Sequence, residues 1–313
     1  MANTRGNDTT PLVSVCCTTY NMEKIVSETI DSILAQKTSF PFELIIHDDA
    51  STDRTQEIIN SYAQKYPGII KTIFQKKNIY TSHEGGLGYM FNNFILPETR
   101  GEFIAISDGD DYWTDPEKLQ KQIDHLNATS ESVACFTNAR IINEIDSNRS
   151  REYHNNQEEG FVPELSIALR AGGYYSASTL VFRKKSFMSS IYYKHFDEFA
   201  KYHEYDTTFI YCLMLAGKIS YLSDVTAIYR QWIGGLYSSI MYDPEKTARI
   251  IEKEMMGTKK LIRLVDKEKK KLFRRKLSVD SLHMIRTRSV TEKFKYLKYL
   301  HVKEIIRLIT GKN

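Results

Sequence analysis

Through the first 110 residues, short apolar runs alternate with amphipathic stretches. Residues 12–17 are apolar and β-rich, and give way to the polar Thr18-Thr-Tyr-Asn21. Val26, Ile30, Ile33 and Leu34 then recur at helical spacing. Residues 42–47 predict a second strand, stopped by Asp48-Asp-Ala-Ser-Thr-Asp53, and Ile58, Ile59, Tyr62 and Tyr66 predict a second helix ended by Pro67-Gly68. A third strand over 69–74, a glycine-rich loop at Gly85, Gly86 and Gly88, a short helix with Met90, Phe91, Phe94 and Ile95, and a fourth strand over 103–107 complete the series. Strands that read as unbroken apolar runs between helices indicate an α/β fold with a mostly parallel, helix-covered sheet. The polar clusters at 18–21, 48–53 and 108–111 each fall at a strand's carboxyl end, where such sheets collect ligands.

Beyond this series the signals are weaker. Asp115-Pro116 is expected to open a helix, with Leu119, Ile123 and Leu126 on its buried face. Strands are expected near 133–142, 178–183, 219–222 and 225–230, and a helix over 206–216. From about Pro244 the chain reads as helical and lysine-rich to its end, and residues 1–10 as a flexible terminus.

Composition narrows the class. Of 313 residues 42% are hydrophobic and 26% charged, which supports a packed core and excludes a disordered or collagen-like chain. The longest apolar run, 209–216, falls far short of the ~20 residues that cross a bilayer. No charged-then-apolar leader is seen, so a cytoplasmic location is expected. The four cysteines lack metal or disulfide spacing and read as reduced, buried thiols. His47, His83, His125, His154, His195 and His203 lack zinc spacing and read as surface or structural. The net charge of +4 conceals an asymmetry: residues 251–313 hold 19 Lys and Arg against 7 Asp and Glu, leaving 24 against 32 in residues 1–250. A basic tail attracts polyanions, but no nucleic-acid motif accompanies it, so no nucleic-acid partner is expected.

Three clusters can carry chemistry. In Ser107-Asp-Gly-Asp-Asp-Tyr-Trp113 the carboxylates repel one another unless a cation or donor lies between them. Oxygen-only ligation with few protein groups suits Mg²⁺ or Mn²⁺ shared with phosphates, Gly109 allowing the backbone to turn; the structural alternative is a polar turn leading to a cap at Asp115. Asp48-Asp49 ends a strand where a carboxylate can accept from a base or ribose, whereas Thr52 or Asp53 can simply cap the next helix. Tyr20, at the end of the first strand with Thr18, Asn21 and Glu23, can stack on a planar base, and Asn21 can alternatively cap a helix.

In this order the three clusters resemble the nucleotide-sugar half of the family 2 glycosyltransferases. The match runs through Pro11-Leu-Val-Ser-Val, Glu43-Leu-Ile-Ile-His-Asp-Asp-Ala-Ser-Thr-Asp53, Gly101-Glu-Phe-Ile-Ala-Ile-Ser-Asp-Gly-Asp-Asp111 and Asp115-Pro-Glu-Lys-Leu-Gln-Lys-Gln-Ile123, and on to Gly217-Lys-Ile-Ser-Tyr-Leu222 and Tyr229-Arg230, covering about 11–235. The resemblance implies a GT-A fold over 11–243, with a nucleotide-sugar half at 11–115, an acceptor half at 116–243 and a basic helical extension at 244–313. It implies that Thr18, Tyr20, Glu23, Asp49 and Asp108 contact the nucleotide sugar. Asp110 is then the metal ligand, with Asp108 and Asp111 as further candidates for Mn²⁺ or Mg²⁺. Asp206, counted back from Gly217, takes the place of the general base, with Glu204 in reserve.

Where relatives place a leaving-group contact, this chain has Gln231-Trp-Ile-Gly-Gly235, leaving Arg230 or Trp232 to serve, on a loop whose glycines suggest closure over the donor. The implied activity is inverting transfer from a nucleoside diphosphate sugar, a UDP-sugar favoured, to a saccharide or lipid-linked acceptor in bacterial surface-polysaccharide synthesis. The alternatives are a non-catalytic nucleotide-sugar or glycan-binding module, and an Asp-nucleophile phosphatase, which needs its first aspartate after the first strand rather than the fourth. In the tail, Phe294, Leu297, Leu300, Val302, Ile305, Ile306, Leu308 and Ile309 alternate with Lys295, Lys298, Lys303 and Arg307. That pattern suits peripheral membrane contact, packing on the body, or an oligomer contact.

Overall fold

The computed structural model describes residues 10–155, 157–235, 243–287 and Tyr296. The strands are β1 (Val13–Thr19), β2 (Phe42–Asp48), β3 (Ile70–Phe74), β4 (Phe103–Asp108), β5 (Tyr112–Trp113), β6 (Ser132–Asn143), β7 (Arg151–Glu152), β8 (Gly160–Phe161), β9 (Leu180–Arg183) and β10 (Lys218–Gln231). The helices are α1 (Val26–Leu34), α2 (Thr55–Lys65), α3 (Ile79–Ser82), α4 (Gly86–Met90), α5 (Lys118–Ala128), α6 (Glu164–Arg170), α7 (Lys184–Ser189), α8 (Phe196–Phe199), α9 (Tyr205–Ala216), α10 (Pro244–Leu264) and α11 (Lys267–Thr287).

One mixed sheet runs in the order β3-β2-β1-β4-β9-β6-β10-β5. The ladders β3-β2, β2-β1, β1-β4 and β6-β10 are parallel, and the short β9 pairs antiparallel with both β4 and β6. Alternate strand residues serve opposite faces. Cys16, Ile45, Ile104 and Ile106 join one core with Phe136, Phe182 and Phe209. Their neighbours Val15, Leu44, Ile46 and Ala105 join another with Ile30, Ile59 and Ile123. Both faces are buried, which is why these strands read as continuous apolar runs rather than alternating ones.

Two expectations are corrected. Helix α5 opens at Lys118 rather than at Asp115-Pro116, because Asp115 Oδ1 accepts from Glu117 N at 2.9 Å and the Pro116 carbonyl accepts from Lys37 N at 2.8 Å. The strands expected at 219–222 and 225–230 are one, β10, which absorbs Ser223 and Asp224 through register shifts against β6 between Leu222 and Val225 and between Val225 and Ala227.

Beyond the polar Asp206-Thr-Thr208 of its first turn, helix α9 is apolar nearly all round, the pattern of a helix with no free face. Helices α10 and α11 contribute to its cover. Leu261 and Phe273 belong to the same core as Phe209 and Tyr211, and the Phe273 ring meets Tyr211 edge-on at 5.1 Å. All four cysteines are free and buried. Among the described residues no helix is long and apolar enough to cross a membrane. Of the stretch 1–10 expected to be flexible, residues 1–9 lie outside the described residues, as do the amphipathic residues Phe294, Leu297, Leu300, Val302, Ile305, Ile306, Leu308 and Ile309.

Candidate active site

The carboxyl ends of β1, β2 and β4 converge. The Thr18 carbonyl accepts from Gly109 N at 2.9 Å, and the Thr19 carbonyl from Asp49 N at 3.0 Å, so the end of β1 holds the loops that follow β4 and β2. Tyr20 projects beyond this edge with 43% of its surface exposed, free to meet a planar ligand. Asn21, with φ of 53°, does not cap α1; its Oδ1 accepts from Thr52 N at 2.8 Å. Asp53 Oδ1 accepts from Thr55 N at 3.0 Å, a helix-start role.

The two aspartates after β2 differ in task. Asp48 accepts from Thr19 Oγ1, Ser51 N, Ser51 Oγ and Gln56 Nε2 at 2.5–3.0 Å, which makes it a loop fastener. Asp49 Oδ1 and Oδ2 accept from Ile79 N at 2.7 Å and Tyr80 N at 2.9 Å, so its carboxylate anchors the start of α3 at this edge. Glu23 is turned onto Arg54 N at 3.1 Å.

The Asp108-Gly-Asp-Asp111 loop lies at the centre. Gly109 is required by close approach rather than by an unusual φ: an added Cβ would lie 2.6 Å from Thr19 Cγ2, 2.7 Å from the Thr18 carbonyl and 2.8 Å from Met22 Sδ. From α1, Thr29 Oγ1 lies 2.8 Å from the Gly109 carbonyl and 2.7 Å from that of Asp111. Asp111 is buried, and its oxygens accept from Arg230 N at 3.0 Å and Ser178 Oγ at 2.7 Å. Asp110 Oδ2 accepts from Trp232 Nε1 at 2.9 Å. The Arg230 guanidinium is bound to Glu28, to Glu144 and to the Asp110 carbonyl. Arg230 and Trp232 thus both reach the loop, Trp232 through the carboxylate itself. Asp108 accepts no hydrogen bond on its carboxylate from the described residues.

Asp206, in the first turn of α9, lies near enough for its charge to act on Asp108. Burial, then Asp111, Asp206 and Asp110, push the Asp108 carboxyl well above the usual range. Burial and then Asp110 raise Asp111, and burial raises Asp110 against the opposing Trp232 hydrogen bond. Asp206 is raised to about 7 by burial and then by Glu204, which is itself raised by burial and then Glu254. Tyr175 links the halves: its hydroxyl donates to the Asp206 carbonyl at 3.1 Å, and its ring lies where both Asp206 and Asp108 act on it. Beside Glu204 a cavity of about 340 Å³ opens between residues 80–88, residues 200–205 and Lys253 of α10.

Residues 14–187 match the model of the glycosyl transferase family 2. The chain belongs to that family. An uncharacterized protein of Mycobacterium tuberculosis is 33% identical over 235 residues, 75% of this chain and 63% of its own, so the chain spans under two thirds of that relative. The Escherichia coli UDP-Glc:alpha-D-GlcNAc-diphosphoundecaprenol beta-1,3-glucosyltransferase is 34% identical over 130 residues, covering 42% of this chain and 47% of its own. Staphylococcus aureus TarS, solved in complex with UDP-GlcNAc, superimposes with a TM-score of 0.65 at 20% identity over 96% of this chain and 82% of that one. The fold of this family 2 member is therefore the GT-A fold expected from the sequence.

Within that fold, several residues escaped the sequence reading. Ser178 sits in a stretch read as the start of a strand, but residues 177–179 form a 3₁₀ turn that aims its hydroxyl at Asp111 and accepts from Asp108 N at 3.1 Å. Thr29 reaches the loop, Glu28 and Glu144 reach Arg230, and Tyr175 reaches the Asp206 carbonyl, all from distant segments and without a local signature. Among the described residues no group of three or more His, Cys, Asp or Glu side chains is arranged to hold a metal by itself.

Proposed function

We propose that the protein is an inverting glycosyltransferase that moves a sugar from a nucleoside diphosphate sugar, a UDP-sugar favoured, to a hydroxyl of a saccharide or lipid-linked saccharide in bacterial surface-polysaccharide synthesis. The observation that carries this reading is the placement of Asp206 in electrostatic range of Asp108 across Tyr175. One acidic edge then offers both a donor site and a base. Tyr20 stacks on the base, with Thr18, Glu23 and Asp49 forming the surrounding loops. Asp206 takes the proton of the acceptor hydroxyl as its oxygen attacks the anomeric carbon; the bond to the diphosphate oxygen breaks on the opposite face, and the configuration inverts. One positioned carboxylate suffices for such a displacement. The cavity lined by Glu204 and Tyr205, next in the chain to Asp206, is the acceptor entry in this reading.

The donor set fits a divalent cation. Asp108 is a half-buried carboxylate without a hydrogen-bond donor among the described residues, beside Asp110, whose Oδ1 is not the oxygen held by Trp232. Two carboxylates leave most of an octahedral shell to substrate phosphate and water, the usual arrangement for Mg²⁺ and Mn²⁺. Asp110 and Asp108 would hold the cation, which would neutralise charge on the leaving diphosphate. Asp111, whose two oxygens are already committed, fastens the loop.

The test is release of UDP from UDP-glucose and UDP-N-acetylglucosamine with Mn²⁺ present. Turnover that Asp110→Ala abolishes and EDTA suppresses supports the reading, and undiminished turnover in EDTA refutes the metal role. The same reading places the enzyme against the cytoplasmic membrane through its basic tail, each basic residue near an anionic leaflet contributing about 1 kcal/mol. Salt-sensitive co-sedimentation with phosphatidylglycerol vesicles supports that location; protein left in the supernatant at low salt removes it.

A further inference from the structure

The first turn of α9 is held from outside by a buried polar chain that runs into α10 and α11. Thr207, buried and next to Asp206, donates through Oγ1 to Glu254 Oε1 on α10 at 2.9 Å. On α11, Lys276 Nζ lies 3.7 Å from Glu254 Oε2 and 2.7 Å from Asp280 Oδ1. The side chains of Glu254, Lys276 and Asp280 are 13%, 7% and 9% exposed, so this is an interior network and not a surface ion pair. Removing one member of such a network leaves an uncompensated buried charge.

The same contact is marked in the sequence by a glycine where a helix does not want one. Gly257 lies inside α10, where glycine costs up to about 1 kcal/mol relative to alanine. A Cβ there would come within 2.5 Å of His203 Nε2 and 2.6 Å of Tyr202 Cβ. Helix α10 therefore lies directly on the segment that leads into α9. His203 in turn is fixed by Tyr192, hydroxyl to Nδ1 at 2.7 Å.

Asp206 itself receives no hydrogen bond on its carboxylate from the described residues. Its direction is set by the first turn of the helix, which is held by Tyr175 on the Asp206 carbonyl and by Glu254 on the Thr207 hydroxyl. We infer that Glu254 and Thr207 are positioning residues for the general base, and that α10 and α11 are part of the catalytic apparatus rather than an appended basic segment. This rests on the assignment of Asp206 made above. A displacement of about 1 Å at a reacting group can cost a hundredfold in rate.

The experiment measures steady-state hydrolysis of UDP-glucose and UDP-N-acetylglucosamine with Mn²⁺, water acting as acceptor, on the full-length chain. Thr207→Val is nearly isosteric and removes only the hydroxyl, and Glu254→Met, of similar length, removes the acceptor. Each should lower kcat by about ten- to a hundredfold, with donor KM within twofold and the thermal melt little changed for Thr207→Val. The double variant should fall no further than the lower single one, because both break the same link. Thr207→Ser, which keeps the hydroxyl, should retain wild-type kcat. Asp206→Asn, measured alongside, separates the two claims. If it is inactive while folded Thr207→Val turns over at the wild-type rate, positioning fails and the base assignment stands. If Asp206→Asn itself turns over normally, the base assignment fails and this inference falls with it.

Discussion

A base with a pKa of about 7 leaves a mark on the rate that a normal aspartate cannot. Burial, with the Glu204 charge as the second cause, moves the Asp206 carboxyl from 3.8 to about 7, so the folded protein holds that proton about a thousandfold more tightly than water-exposed aspartate does. In the proposed role of base, Asp206 acts only when ionised. At pH 6 only about one molecule in ten carries the ionised form, and at pH 8 about nine in ten do, so kcat/KM should rise tenfold per pH unit below about 7 and level off above it. Glu204→Gln removes the second cause and keeps the first, because desolvation is unaffected. Its profile should shift to lower pH yet stay well above an ordinary aspartate's. Asp206→Asn should lose about 10²–10⁴-fold and the acidic limb together. The assay is UDP release from a UDP-sugar between pH 5 and 9 at constant ionic strength and saturating Mn²⁺. A wild-type profile flat from pH 5 to 8, or a Glu204→Gln profile that does not move while Asp206→Asn is dead, refutes the electrostatic reasoning.

Other consequences follow from the same packing. Asp206 and its acidic neighbours hold protons in the folded state that the unfolded chain has already released, so their contribution to stability falls as pH rises from 4 to about 7, while His47, His125, His154 and His203, held below the usual imidazole range by burial, contribute in the opposite sense; in EDTA the Tm gain from Asp206→Asn should therefore be larger at pH 7 than at pH 5. Gly109→Ala drives a Cβ into the Thr18 carbonyl and Met22, and should cost about 1–3 kcal/mol in denaturant titration while abolishing turnover. Phe273→Ala, at a fully buried ring against Tyr211, should cost about 3–5 kcal/mol, against the near-neutral effect expected if α11 were a detachable basic arm.

The elements of the nucleotide-binding half were legible because each strand there is covered on both faces, so that Val15 and Cys16, or Ile45 and Ile46, are both apolar although they point in opposite directions. The carboxylates were legible because they sit at strand ends in the order the sheet requires. What occupies them was not. Trp232 reaches Asp110, Glu28 and Glu144 reach Arg230, and Ser178 reaches Asp111, all across chain separations at which no spacing rule operates. The start of α5 was misjudged because the Asp115 side chain and the Pro116 carbonyl find partners outside the helix. The reading of the chain from about 244 as helical and lysine-rich captured α10 and α11, but Leu261, Val265 and Phe273 join the core around α9, a destination that periodicity cannot specify.

The central claim, that Asp206 drives an in-line displacement on a nucleoside diphosphate sugar bound at the Asp108–Asp111 loop, is met most directly by ¹H NMR of the sugar first released from UDP-glucose or UDP-N-acetylglucosamine with Mn²⁺. Both donors carry an α-linked sugar, so the account predicts that the β-anomer appears first, before mutarotation, and that Asp206→Asn abolishes its appearance. Release of the α-anomer first, or release undiminished in Asp206→Asn, would contradict it.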